Sequence, residues 1–255
     1  MKKHILIDNI QIPLLGFGTW NIKGKECVNS VEDALSLGYR HIDTARMYGN
    51  EKEVGEGIKK SKVDRSDIYL VTKIATSELE PKLITRITED SLRNLQTDYI
   101  DLLLIHWPVP GMDLKGILEE MNKMQEQSKV KQLGVSNFSP DLVKEALTTK
   151  RIVNNQVEFN PHHLQHDNLK MVKENNMFLT AYTPIDKGKV FKNSVINEIA
   201  EKYSKNEAQV TLRWLLQHNN VAVIPKAATR EHRESNMDIF DFELTQEDMI
   251  KIAST

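Results

Sequence analysis

The sequence predicts a closed (β/α)8 barrel. Three observations lead there. Short apolar, β-branched runs recur eight times, longer segments of helical periodicity alternate with them, and no Pro/Gly/Ser-rich linker or shift of composition divides the 255 residues. A doubly wound open sheet shares this alternation but relies on a Gly-x-Gly-x-x-Gly turn, and Gly16-Phe17-Gly18-Thr19-Trp20-Asn21 lacks the third glycine. One domain spanning residues 1–255 is expected.

The elements follow in order. His4–Ile7 and Gln11–Pro13 flank Asp8-Asn9, a hairpin suited to plug the barrel's N-terminal end. The strands are assigned to Leu14–Gly18, Arg40–Thr44, Ile68–Thr72, Ile100–Ile105, Gln132–Val135, Asn155–Glu158, Phe178–Tyr182 and Val221–Pro225. Amphipathic helices are expected over Glu26–Leu37, Glu51–Lys60, Pro81–Leu95, Leu114–Gln127, Pro140–Leu147, Asp167–Asn175, Val195–Tyr203 and Arg230–Asn236. Ser139-Pro140 supplies an N-cap followed by proline at the first helical position. An extra helix, about Ala208–His218, precedes the eighth strand, and Thr245 to Asp248 reads as a capping box opening a final helix.

Composition narrows the function. Hydrophobic residues at 40% and charged residues at 27% suit a soluble globular chain and exclude disorder. A net charge of −2 with no basic run argues against a nucleic-acid partner. Cys27 is the only cysteine, so an internal disulfide and a cysteine metal cluster are excluded; packing on a helix is its expected role, ahead of a reactive thiol. No uncharged stretch approaches the ~18 residues of a membrane span. Ile5 to Ile7 is too short for a signal-peptide core, so a cytoplasmic location is expected.

Barrel enzymes work at the C-terminal ends of their strands. The sequence places Asp43, Lys73, His106-Trp107, Ser136-Asn137, Gln156, Tyr182-Thr183 and Pro225-Lys226 there, with Tyr48 shortly after Asp43. Taken singly, Asp43 reads as an N-cap, Lys73 as a snorkelling lysine and His106 as a bonded core histidine. Together with Tyr48 they make a proton-handling set. Tyrosine is a poor acid, with a reference pKa of ~10; a neighbouring Lys⁺ lowers it, and Asp43 supplies the counter-charge that keeps the lysine protonated. His106 then polarises or orients a carbonyl, and the set gives a proton to a developing alkoxide. No Ser–His pair, catalytic cysteine or evident metal set appears, so the electron pair points to a hydride-carrying cofactor. His162 and His166 would share a metal if both lay on one helix, but no third ligand is placed near them or His163. Trp214 reads as core.

The motifs Gly16-Phe-Gly-Thr-Trp20, His41-Ile-Asp-Thr-Ala-Arg-Met-Tyr-Gly-Asn-Glu51, Val71-Thr-Lys73, Asp101-Leu-Leu-Leu-Ile-His-Trp-Pro108, Gly134-Val-Ser-Asn-Phe138, Asn155-Gln-Val-Glu-Phe-Asn-Pro161 and Ile224-Pro-Lys226 stand in sequence. In them the chain resembles the aldo-keto reductase family, in its compact prokaryotic form, from Leu14 to about Ala253. The resemblance implies a (β/α)8 barrel and NADPH-dependent reduction of aldehydes and ketones. It makes Tyr48 the general acid, tuned by Lys73 and Asp43, with His106 orienting the carbonyl. It assigns the nicotinamide amide to Ser136, Asn137 and Gln156, ring stacking to Tyr182, and the pyrophosphate to Thr183, Pro184 and Ile185. Thr19, Trp20 and Asp43 would touch cofactor or substrate; Trp20 and Trp107 would wall the substrate beside Tyr48 and His106. Pro225, Lys226, Ala227 and His232 would line the adenosine end, and Asn236 would meet the adenine.

That end departs from the family pattern. Ala227 stands where a serine is usual, His232 where an arginine is, and Ser235 where glutamate is common. Histidine does not replace a bidentate arginine, so NADP(H) is expected to be preferred by a narrow margin, with NAD(H) tolerated. A small carbonyl compound is the expected partner, and the resemblance gives a monomer without a structural metal. Two other readings stay open: a Schiff-base lyase using Lys73 as nucleophile, and a non-catalytic nucleotide-sensing module. The brief segment after His106 and the end at Thr255 suggest an open mouth and broad substrate use.

Overall fold

The computed structural model describes residues 3–255. An antiparallel hairpin opens the chain, β1 (His4–Ile7) and β2 (Ile10–Pro13). Asp8 and Asn9 both take positive φ, 50° and 64°, the twist that two-residue hairpin turns need and that Asp and Asn tolerate. Ile5, Ile7 and Ile12 are buried, and Gln132 Nε2 donates to the Ile7 carbonyl at 3.3 Å. The hairpin thus caps the barrel floor.

Eight parallel strands follow: β3 (Gly16–Gly18), β4 (His41–Asp43), β5 (Tyr69–Ile74), β6 (Ile100–Ile105), β7 (Val130–Ser136), β8 (Asn154–Glu158), β9 (Phe178–Tyr182) and β10 (Val221–Val223). Each pairs with its successor. The ring closes where Leu15 bridges Val223, with the Val223 and Gly18 amides donating to the carbonyls of Leu14 (2.8 Å) and Pro225 (3.2 Å). β3 and β10 are shorter than the sequence suggests because Leu14, Leu15 and Pro225 serve this seam. A Cβ on Gly18 would stand 2.7 Å from the Ile224 carbonyl oxygen, so closure itself demands glycine there.

The helices are α1 (Gly24–Ser36), α2 (Glu51–Ser61), α3 (Pro81–Leu95), α4 (Leu114–Glu126), α5 (Pro140–Thr149), α6 (His166–Glu174), α7 (Ser194–Tyr203), α8 (Glu207–Gln217), α9 (Arg230–Met237) and α10 (Gln246–Ala253). Ser139 caps α5 as expected, its side chain accepting from the Leu142 amide. The full capping box lies elsewhere than expected, at Asn206–Gln209 of α8. At α10 only half of one forms. Thr245 accepts from the Asp248 amide, but its own amide donates to Tyr203 Oη, because the Asp248 carboxylate is engaged by Lys202, Tyr203 and Thr245 Oγ1. Trp214 is buried, and its Nε1 donates to the Met249 carbonyl, joining α8 to α10.

3₁₀ segments shape the upper end, Thr76–Glu78 after β5 among them. Arg46–Tyr48 follows β4; Asp186–Lys192 follows β9 and contains positive φ at Asp186, Lys187 and Gly188. Among the described residues, no helix is long and apolar enough to cross a membrane.

Candidate active site

Lys73 is the centre. It points inward from β5 with 0% of its surface exposed, beside Asp43 of β4 with 1% exposed. Its Nζ donates to Asp43 Oδ1 at 2.6 Å and to the Thr44 carbonyl at 2.8 Å, and lies 3.4 Å from Tyr48 Oη. Gln156 Nε2, from β8, donates to the second Asp43 oxygen at 2.8 Å. Parallel register puts Asp43 opposite Val71, so Lys73 reaches past the end of β4 toward the turn bearing Tyr48. Burial disfavours the Lys73 charge, but Asp43 and Tyr48 more than offset this and hold its pKa above the ordinary value. A lysine held this way stays protonated, which speaks against the Schiff-base reading.

The electrostatics of Tyr48 differ from the simple expectation. Lys73 lowers its pKa, yet burial is the larger effect and Asp43 adds to it, so the phenol sits above its ordinary value. Tyr48 is therefore a protonated phenol aimed at a lysine rather than a tyrosinate. His106 follows the end of β6, its ring centroid 5.7 Å from that of Tyr48 in an edge arrangement. Burial, then Lys73, lowers the His106 pKa to about 4, so the ring is neutral at physiological pH. Its Nδ1 is buried without a hydrogen-bond partner among the described residues.

The ends of β7, β8 and β9 form one hydrogen-bonded patch. Ser136 Oγ donates to the Gln156 carbonyl (2.8 Å), Asn137 Nδ2 to the His106 carbonyl (3.1 Å), and Tyr182 Oη to Asn137 Oδ1 (2.8 Å). Burial, then Glu158, pushes the Tyr182 phenol up to about 12. Thr183 has φ 50°, and Asn160 Nδ2 donates to its carbonyl. On the other side, Thr19 Oγ1 donates to the Asp43 carbonyl at 2.9 Å. Trp20, Met47 and Trp107 are 57%, 55% and 45% exposed, an apolar set following Thr19, preceding Tyr48 and following His106.

Beyond β10, Lys226 is exposed, its Nζ 6.0 Å from the centre of the Trp20 ring, and among the described residues it has no carboxylate within ion-pair reach. Ala227 is buried and His232 exposed. The nearby arginines are engaged. Arg233 Nε donates to Asp33 at 2.7 Å and its Nη1 to the Ala227 carbonyl at 2.9 Å, while Arg230 bonds Asp33 and Glu234. Asn236 lies on α9, buried.

The histidine motif is not a helical pair. His162 and His163 precede α6, which begins at His166; His162 Nδ1 meets Asp186 Oδ2 at 2.9 Å, tying the β8–α6 loop to the loop after β9. Burial, then Glu53 and Glu26, pushes the Cys27 thiol up to about 12, in keeping with a packing role. Sequence reasoning gave no role to Asn50, which accepts from Thr44 Oγ1 and donates to the Thr19 and Ile22 carbonyls, fixing both loops beside Tyr48. It stood inside a quoted motif, but nothing in the motif reveals these partners.

The chain is similar to known proteins over nearly its whole length. A model of the Aldo/keto reductase family matches residues 14–255. Glyoxal reductase of Bacillus subtilis (strain 168) is 41% identical over 258 residues, covering 99% of this chain and 92% of the relative. Methylglyoxal reductase DkgB of Salmonella typhi is 35% identical over 248 residues, covering 95% and 92%. The crystal structure of an aldo/keto reductase from Brucella melitensis superposes with a TM-score of 0.94 at 36% identity, covering 98% of each chain. By this match over nearly its whole length, the chain belongs to the aldo/keto reductase family, oxidoreductases that act on carbonyl groups.

Proposed function

We propose that the protein reduces small aldehydes and ketones to alcohols with NADPH, Tyr48 giving the proton. The observation that carries this reading is the meeting of Tyr48, Lys73, Asp43 and a neutral His106 at one end of the barrel. The residues present fit a nicotinamide dinucleotide. Ser136, Asn137 and Gln156 gather amide and hydroxyl groups at adjoining strand ends, the Tyr182 ring stands beside them, and Lys226 is a cation without an anionic partner among the described residues. Thr183, Pro184 and Ile185 would run along the pyrophosphate, and Thr19, Pro225 and Asn236 would complete the groove. When bound, NADPH supplies the hydride.

The chain's own residues do the rest. Neutral His106 orients the carbonyl oxygen toward Tyr48 Oη. As negative charge develops on that oxygen, Tyr48 delivers its proton, and Lys73 stabilises the phenolate left behind. Asp43 keeps Lys73 protonated for this purpose, and its bond from Gln156 couples the corner to the amide-binding patch. Trp20, Met47 and Trp107 offer an exposed apolar wall, which suits small carbonyl compounds such as glyoxal, methylglyoxal and aromatic aldehydes, taken broadly.

At the adenosine end, Lys226 has no carboxylate partner among the described residues and is free to meet a 2′-phosphate, whereas Arg230 and Arg233 are bound to Asp33. NADPH is therefore preferred by a narrow margin. Steady-state oxidation of NADPH and NADH with glyoxal, methylglyoxal and an aromatic aldehyde tests the reading. Turnover of several substrates with a modest NADPH preference supports it; no turnover, or a preference for NADH, rejects it.

A further inference from the structure

The turn that carries Tyr48 has no buried residue of its own: Arg46 and Tyr48 are half-buried and Met47 is exposed. A groove of about 570 Å³, lined by Arg46, Met47, Ala75 and Glu78 among others, runs along it. Close packing therefore does not fix the turn on that side. Polar bonds do. Arg46 Nε and Nη2 donate to the two oxygens of Glu78, both at 2.7 Å, in a bidentate fork across to the segment after β5. Arg46 Nη1 donates to the Ile87 carbonyl and to Ser91 Oγ of α3, each at 3.2 Å, and stands 4.0 Å from Glu51 Oε2. Glu51 is itself buried, accepting from Thr72 Oγ1 at 2.8 Å and from Asn94 Nδ2 at 3.3 Å. Thr72 precedes Lys73 in β5. Hydrogen bonds and one 4.0 Å charge contact, between Arg46 and Glu51, thus connect the turn bearing Tyr48 to the strand bearing Lys73.

Resting on the reading of Tyr48 as proton donor, we propose that Arg46 and Glu78 are positioning residues that hold Tyr48 Oη within reach of Lys73. The 3.4 Å separation of those two groups lies at the outer limit of a hydrogen bond, so a small outward movement of the turn breaks it. Arg46 keeps Glu78 ionised, its carboxyl held below the usual range. The fork is a property of the guanidinium; lysine supplies a point charge and does not reproduce it.

Arg46→Lys, Arg46→Ala, Glu78→Gln and the Arg46→Ala/Glu78→Ala double variant test the clamp beside Tyr48→Phe. Misplacement of a reacting group predicts kcat falling about 10- to 100-fold in the clamp variants, with KM and the NADPH Kd from fluorescence titration little changed. The alkaline limb of kcat moves to higher pH, because Lys73 then lowers the Tyr48 pKa less. The double variant loses no more than the worse single one. Wild-type kcat in Arg46→Lys and Glu78→Gln overturns the clamp, as does a loss of activity that follows melting temperature with an unmoved alkaline limb. If Arg46→Ala does not fold, the two conservative variants decide. Retained activity in Tyr48→Phe rejects the proton-donor reading itself and takes the clamp with it.

Discussion

Asp43 and Asp33 are bonded alike and matter differently. Each carboxylate offers one oxygen to each of two donors: Asp43 to Lys73 and Gln156, Asp33 to Arg230 and Arg233. Asp43 is sealed inside the barrel, where its charge decides the state of a lysine in contact with a phenol. Asp33 sits at the rim on α1 and holds α9 in place, which removes two arginines from any phosphate nearby. Burial separates the roles. The same pairing sets chemistry inside the barrel and at its edge merely fixes a helix while lowering the charge available to a ligand.

Four measurements bear on this contrast. Tyr48→Phe removes the proton that the Asp43–Lys73 pair serves, and kcat is expected to fall by about 10²- to 10⁴-fold while cofactor affinity persists. Equal turnover would dissolve the special status of the inner corner. Asp43→Ala leaves Lys73 buried without its partner and should cost roughly 3–5 kcal/mol of stability by denaturant titration. Lowering pH is the next lever. His106 and His218 titrate near 4 in the folded protein, both through burial first, and burial also lowers His41. The unfolded chain takes up these protons near ~6.5. The contribution of His106 and His218 is therefore whole above that value, declines as pH falls toward about 4, and changes no further below, while His41 acts in the same direction. Denaturation midpoints across this window should fall with pH, and His106→Gln should flatten the slope. Asp33→Ala gives the smallest effect, roughly 1–3 kcal/mol, since Arg230 is exposed and buried Arg233 keeps its bonds to the Ala227 and Ala228 carbonyls. It also releases Arg230 Nη1 and Arg233 Nε from Asp33, although Arg230 Nε stays with Glu234, so the ratio of NADPH to NADH affinity should rise; an unchanged or lower ratio would show that Asp33 does not limit phosphate binding.

The fold was legible because its signals are local. β6, β9 and α3 occupy the residues that periodicity assigns them, and Ser139 caps α5 through chemistry visible in a dipeptide. The inner corner was legible because Asp43, Lys73 and His106 stand at strand ends, where parallel register must bring them together. What stayed hidden depends on distance along the chain or on competition between opposing effects. Glu78 lies far from Arg46 in sequence, and no pattern announces their fork. The half-formed box at Thr245 depends on Tyr203 claiming the spare partner. The segment Asp186–Lys192 escaped notice because Asp186 and Lys187 take positive φ without being glycine. The direction of the Tyr48 shift needed the extent of burial, which a sequence does not carry.

The seam between Leu15 and Val223 has a consequence for how the protein is made. The inner corner is assembled from neighbouring strands near the start of the chain, and a nascent chain can pair β4 with β5 early. The seam must wait for β10, synthesised after the other seven barrel strands, and contacts between such distant residues form slowly. Until then the edges of β3 and β9 carry unpaired backbone groups open to other chains. Changes at Gly18 or Val223 should therefore reduce the yield of folded protein at birth more than they disturb molecules already closed.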